Sequence, residues 1–167
     1  MDEWLGWVNH QLSASLDMLK IAIETATDEI WDQPEHEPFW RIATHTVFYV
    51  DFYFSTFQLD NPAETYTLPP FLSHYKDPWI DDLKEGIVSK EELLKYLAYA
   101  RDQLRDYFQQ DIGNQLSDHS GFEWLNLTKG ELLLYNMRHV MEHTAIMNQL
   151  LKKHGLPASS WKGKSEL

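Results

Sequence analysis

The chain has 167 residues with a formal net charge of −12, which argues against nucleic acid or an anionic membrane surface as a partner, since both call for clustered Lys and Arg. Hydrophobic residues make up 43%, with seven Trp, eight Tyr and eight Phe, so one globular domain over residues 1–167 with an aromatic core is expected rather than disorder. Cysteine is absent, which removes disulfides and thiolate ligands and fits a cytoplasmic protein; the start lacks a basic n-region and an apolar h-region, so no secretory signal is expected.

The first helix is predicted from Glu3 to Thr25, where Leu5, Val8, Leu12, Leu16, Leu19 and Ile23 recur at spacings of three and four. A second is predicted from Pro38, a residue suited to the first turn, to about Phe57, before Asp60-Asn61-Pro62. Glu35 and Glu37 precede it and suit its dipole. Ser89 and Glu92 open a third helix as a capping box, with Leu93, Leu97, Ala100, Leu104 and Tyr107 as its stripe. Thr128 and Glu131 open the fourth, which ends at Lys152-Lys153-His154 before Gly155 and Pro157. The connection over residues 58–88 is long for one domain, and its Pro69-Pro70, His74, Pro78 and Trp79 point to a crossover packed on the helices.

The second helix is apolar almost all round, so two of its sides need cover. Trp40, Ala43, Val47, Val50 and Phe54 fall opposite His45, and we expect this side to be covered by the crossover or, preferably, by a homodimer partner. A membrane span is the competing explanation, but Arg41, His45 and Asp51 interrupt the run.

His139 and His143 lie four apart on the fourth helix and project from one face, a spacing that lets two imidazoles chelate one ion. That face also carries Leu132, Tyr135, Ile146 and Leu150, so it is expected to point inward. His45 lies within the apolar second helix, and three inward imidazoles suit zinc, nickel or ferrous iron with one position left for water. The alternative is that the three satisfy one another or backbone groups in the core.

Residues 139–143 match H-x-x-E-H, but inverzincin proteases are large two-domain proteins with a third acidic ligand far downstream and only 24 residues follow His143, so that reading is rejected. Glu142 lies about 60° from His139 on the helix wheel. It is a candidate general base, with a surface carboxylate as the preferred reading. Tyr135 is a second catalytic candidate, and Tyr49 and Asn136 are candidates to line a pocket. His10, His36, His74, His119 and His154 are expected to be solvated. No G-x-S-x-G turn or glycine-rich phosphate loop is present.

From about Trp4 to Gly155 the chain resembles the DinB/YfiT-like superfamily. The resemblance rests on Pro-Phe-Trp-Arg-Ile-Ala-Thr-His at 38–45, the crossover before a capped third helix, and Arg-His-Val-Met-Glu-His at 138–143. It implies an all-α four-helix bundle, up-down-down-up, often homodimeric, with zinc or nickel held at the positions of His45, His139 and His143. It further implies a thiol S-transferase using a low-molecular-weight thiol, or a metal-dependent hydrolase, acting on a small-molecule substrate. The competing class is a non-catalytic stress-response protein with a structural metal.

Overall fold

The structure is a computed structural model describing residues 3–33, 38–72, 87–110 and 112–167. Glu35, Glu37, His36, His74, Pro78 and Trp79, each singled out above, lie outside the described residues. Among those described the chain is helical without strands, apart from an isolated antiparallel bridge between His119 and Thr128. Four long helices carry it: α1 (Glu3–Thr25), α2 (Phe39–Phe54), α3 (Lys90–Gln109) and α4 (Lys129–Lys153).

Local chemistry sets their ends. Pro38 is the N-cap of α2 rather than its first residue, and the last turn tightens into a 3-10 turn at Ser55–Phe57. Both capping boxes form. The Ser89 hydroxyl accepts from the Glu92 amide at 3.2 Å, and the Thr128 hydroxyl accepts from the Glu131 amide at 3.2 Å. Each glutamate reaches back to its cap's amide, at 3.1 and 2.8 Å. Gly155 closes α4 with φ +74°, donating to the Lys152 carbonyl while Leu156 donates to that of Leu151.

α1 packs on α4 and α3, and α2 packs on the same two helices. The predicted stripes of α1 and α3 are buried throughout. α2 is covered on both sides within one chain: Trp40, Ala43, Val47, Val50 and Phe54 are all buried. Tyr107 of α3 stacks on Phe54 at 6.5 Å, Tyr66 of the crossover packs on Phe52 at 5.1 Å, and Phe122 packs on Phe52 at 4.9 Å. The expectation that a homodimer partner covers α2 therefore loses its basis, because the chain supplies the cover itself. No helix among the described residues is long and apolar enough to cross a membrane.

α4 departs from expectation in its rotation. Its deepest stripe is Leu133, Asn136, Val140, Thr144, Met147 and Leu151, whereas Ile146 is 39% exposed and Tyr135 and Leu150 are half-buried. Two polar residues, Asn136 and Thr144, stand on the buried stripe, which is why hydrophobic patterning misses it. The histidine face is consequently the flank of α4 turned towards α2 rather than its core face.

One buried polar cluster also fixes the crossover. Asp51 of α2 accepts from the Tyr66 hydroxyl at 2.6 Å and the Tyr96 hydroxyl at 3.1 Å, which tie the crossover and α3 to α2. Burial raises the Asp51 pKa, and the two phenol donors offset part of that rise.

Candidate metal centre

His45 sits on the second turn of α2 and faces His139 and His143, which stand one turn apart on α4. The Nε2 of His139 lies 3.1 Å from the Nε2 of His45 and 3.1 Å from that of His143. Ring centroids are 5.1 Å apart for His45 and His139, 4.8 Å for His45 and His143, and 4.4 Å for His139 and His143. One ligand atom from each residue lies within 4.8 Å of the others, and all three residues are half-buried.

Hydrogen bonding among the imidazoles does not account for this convergence. An imidazole nitrogen carries one in-plane lone pair or one proton, so it makes one good in-plane hydrogen bond. His139 Nε2 faces two nitrogens at equal distance, and only one of those contacts can be such a bond. A cation between the three accepts a lone pair from each. Tetrahedral zinc with ligands at about 2.0–2.1 Å holds its nitrogens about 3.3–3.4 Å apart, close to the 3.1 Å of the two pairs that include His139. The donor set therefore fits a divalent ion of the borderline class.

The protonation states agree with that fit. Burial, then the neighbouring His143 and Arg41, pushes His45 down to about 4. Burial, then His143 and His45, pushes His139 down to about 3. Both are neutral near pH 7, the form in which imidazole ligates. His139 Nδ1 is buried without a hydrogen-bond partner among the described residues. Metal-bound imidazoles commonly donate that proton to a carbonyl or carboxylate, so this nitrogen departs from the usual supporting pattern.

Aromatic rings wall the site. Tyr49 packs on His45 at 4.7 Å and on His139 at 5.2 Å, and burial raises its pKa. Tyr135 is half-buried beside Tyr53, their centroids 5.7 Å apart, and Tyr53 in turn packs on His139 at 6.4 Å. Sequence reading missed Tyr53; its position one turn after Tyr49 on α2 was the available signal.

Asn136 is fully buried and its Nδ2 donates to the Tyr49 and Val50 carbonyls, each at 3.3 Å, so it ties α4 to α2 directly behind the site. Glu142 is exposed and stands outside the three-histidine group. The other described histidines lie elsewhere: His10 approaches Glu166 at 4.0 Å, His119 Nδ1 accepts from the Gly121 amide, and His154 caps α4.

A protein-family model described as the DinB superfamily matches residues 11–147, a span that includes all three histidines. No curated protein and no solved structure matches the chain.

Proposed function

The chain belongs to the DinB superfamily, and on that premise we propose that it is a metal-dependent enzyme holding one divalent ion on His45, His139 and His143. The observation that carries this reading is the double approach of two imidazoles to His139 Nε2, each at 3.1 Å. Zinc or nickel suits three neutral imidazoles, with ferrous iron as a third choice. A divalent ion supplies Lewis acidity, which lowers the pKa of water or of a thiol towards neutrality. Thiol S-transfer with a low-molecular-weight thiol and hydrolysis of a small substrate both draw on that chemistry.

The chain's own residues prepare the site. His45 and His139 offer lone pairs because burial keeps them unprotonated. Tyr49 retains its phenolic proton and walls the site with Tyr53. Asn136 fixes α4 against the α2 backbone beside Tyr49, which sets the spacing between His45 and the other two ligands. Tyr135 and Glu142 remain the candidates for moving a proton, Tyr135 from the aromatic wall and Glu142 from the exposed rim.

The proposal includes an up-down-down-up bundle as one cytoplasmic domain. Its support is in the pairings. His45 meets His139 and Tyr53 meets Tyr135, so α2 and α4 run oppositely. Asp17 meets Arg101 and the Ala26 carbonyl meets Lys90, so α1 and α3 run oppositely. Asp51 meets Tyr96 and Phe54 meets Tyr107, so α2 and α3 run together. A homodimer is not part of the proposal, since α2 is covered within one chain.

The test is metal analysis of the purified chain and of His139→Ala, followed by assay of metal-loaded protein with a thiol and an aryl halide, and separately with an ester. Turnover that chelation abolishes while circular dichroism stays constant supports the enzyme. The second reading, a structural metal, predicts the reverse: chelation unfolds the chain and no turnover is found. Among the described residues no fourth side chain joins the three histidines, and this favours the catalytic reading.

A further inference from the structure

A cavity of about 210 Å³ lies between α1, α4 and the C-terminal segment that follows Gly155. Met18, Met137 and Met141 line it together with Ala14, Trp161 and Arg138. On the α4 wheel Met141 lies about 160° from His139, so this cavity opens on the side of α4 away from the metal centre.

The segment beyond Gly155 is pinned on both sides of Trp161. Ser159 exchanges two hydrogen bonds with Asn148, each 2.8 Å. Beyond the tryptophan, Gln11 donates to the Gly163 carbonyl at 3.0 Å, and Ser165 bonds to the His10 carbonyl at 3.2 Å and to Asp17 at 2.6 Å. Trp161 nonetheless stays 77% exposed at the mouth of the cavity. Held from both sides beside the methionines, the indole presents a flat apolar face that a ligand could pack on.

Charge specifies the occupant. The chain carries 26 acidic and 14 basic residues, yet the described residues lining this cavity include two cations, Arg138 and Lys162, and no Asp or Glu. Among the described residues Arg138 makes no ion pair; its guanidinium lies over the Tyr135 ring at 5.5 Å. Lys162 feels Asp17 at longer range, while Asp17 itself is paired with Arg101. Three thioethers form an adaptable apolar floor that accepts a ring or a short chain. We propose that this cavity binds a small carboxylate with an apolar body, an aryl or short-chain acid, its body between Trp161 and the three methionines and its carboxylate on Arg138 and Lys162. The pinned segment lies beyond residues 11–147, so it adds this site to the part of the chain that the family model matches.

The experiment uses the full chain with 13C-labelled methionine methyls, titrated with phenylacetate and with its uncharged analogue 2-phenylethanol, in the presence and absence of a chelator. The proposal expects the Met18, Met137 and Met141 resonances to move saturably while the core residue Met147 stays still. It expects Arg138→Gln to weaken phenylacetate about tenfold, as loss of one charge-assisted contact does. Trp161→Ala should weaken both compounds, and since both side chains are exposed the variants should keep the wild-type melting temperature. Equal binding of acid and alcohol, no saturable shift of the three methyls, or a shift that the chelator abolishes would each overturn the proposal; the last would place the acid at the histidine centre.

Discussion

Removing the central ligand gives the sharpest test of the histidine centre. His139→Ala deletes the nitrogen that lies 3.1 Å from both of the others. A ligand at 1,000 times its Kd stabilises the native state by about 4.1 kcal/mol. A chain of this length has an unfolding entropy of about 350 cal/mol/K at its midpoint, so that stabilisation is worth about 12 °C. Loss of one of three ligands should weaken binding by at least about 100-fold, the upper end of what disturbing a ligand's support alone costs. At the same zinc or nickel concentration the variant then retains at most about 1.4 kcal/mol, or about 4 °C. Differential scanning calorimetry with metal and with excess chelator measures both gaps. In chelator the two proteins should differ by no more than about 1 kcal/mol, because His139 Nδ1 is already buried without a partner and its loss is partly a relief. An equal metal-dependent gap in wild type and variant would refute the assignment of His139. So would a wild-type chain that gains nothing from either metal.

Asp51→Ala should cost about 1–3 kcal/mol in urea denaturation, because the Tyr66 and Tyr96 hydroxyls keep only each other, at 3.0 Å, and one of them loses its acceptor, whereas Asp51→Asn keeps an acceptor and should cost less than about 1 kcal/mol. The pH dependence follows from the raised Asp51 pKa: the folded state holds its proton more tightly than the unfolded chain does. Its contribution is therefore complete below the unfolded value and declines as pH rises through the folded value, so the stability difference between wild type and Asp51→Asn should move against wild type on going from pH 4 to 7. A difference that is flat with pH would show that Asp51 titrates normally. Gly155→Ala should lower stability by about 1–2 kcal/mol through its positive φ alone, since nothing lies near the added carbon. Gly121→Ala should cost more, because at φ +79° its added carbon would also meet Pro62 Cδ at 2.6 Å; equal costs in thermal melts would contradict this packing.

The helices were legible in the sequence because their signals are local. Capping boxes at Ser89 and Thr128, the Gly155 stop and the three-and-four spacing of α1 and α3 involve residues within a turn or two of each other, and each appears in the structure where it was expected. The pairing of His139 with His143 is likewise a property of one helix. What joins His45 to them is not local. Its approach to His139 depends on how α2 and α4 are rotated against each other, and no periodicity within either helix states that angle.

The same limit explains the misread face of α4. Hydrophobic patterning placed Leu132 correctly but also favoured Tyr135, Ile146 and Leu150, whereas packing against α1 and α2 together turned the stripe through Asn136 and Thr144 inward. Asn136 Nδ2 finds two α2 carbonyls there, a partial compensation invisible until the helices meet, while its Oδ1 and the Thr144 hydroxyl are buried without a partner among the described residues. Asp51 is a parallel case, an interruption in an apolar helix until Tyr66 and Tyr96 arrive from distant segments. Cover for α2 was also a tertiary matter: composition showed that two sides needed burial, but only the crossover, α3 and Phe122 decided that a single chain provides it. Local sequence determined where each helix begins and ends; the inward face of α4, the partners of the buried polar groups, and with them the geometry of the site, were decided by which helices came together, because hydrogen bonds and ligand spacings between helices depend on partners that no single segment contains.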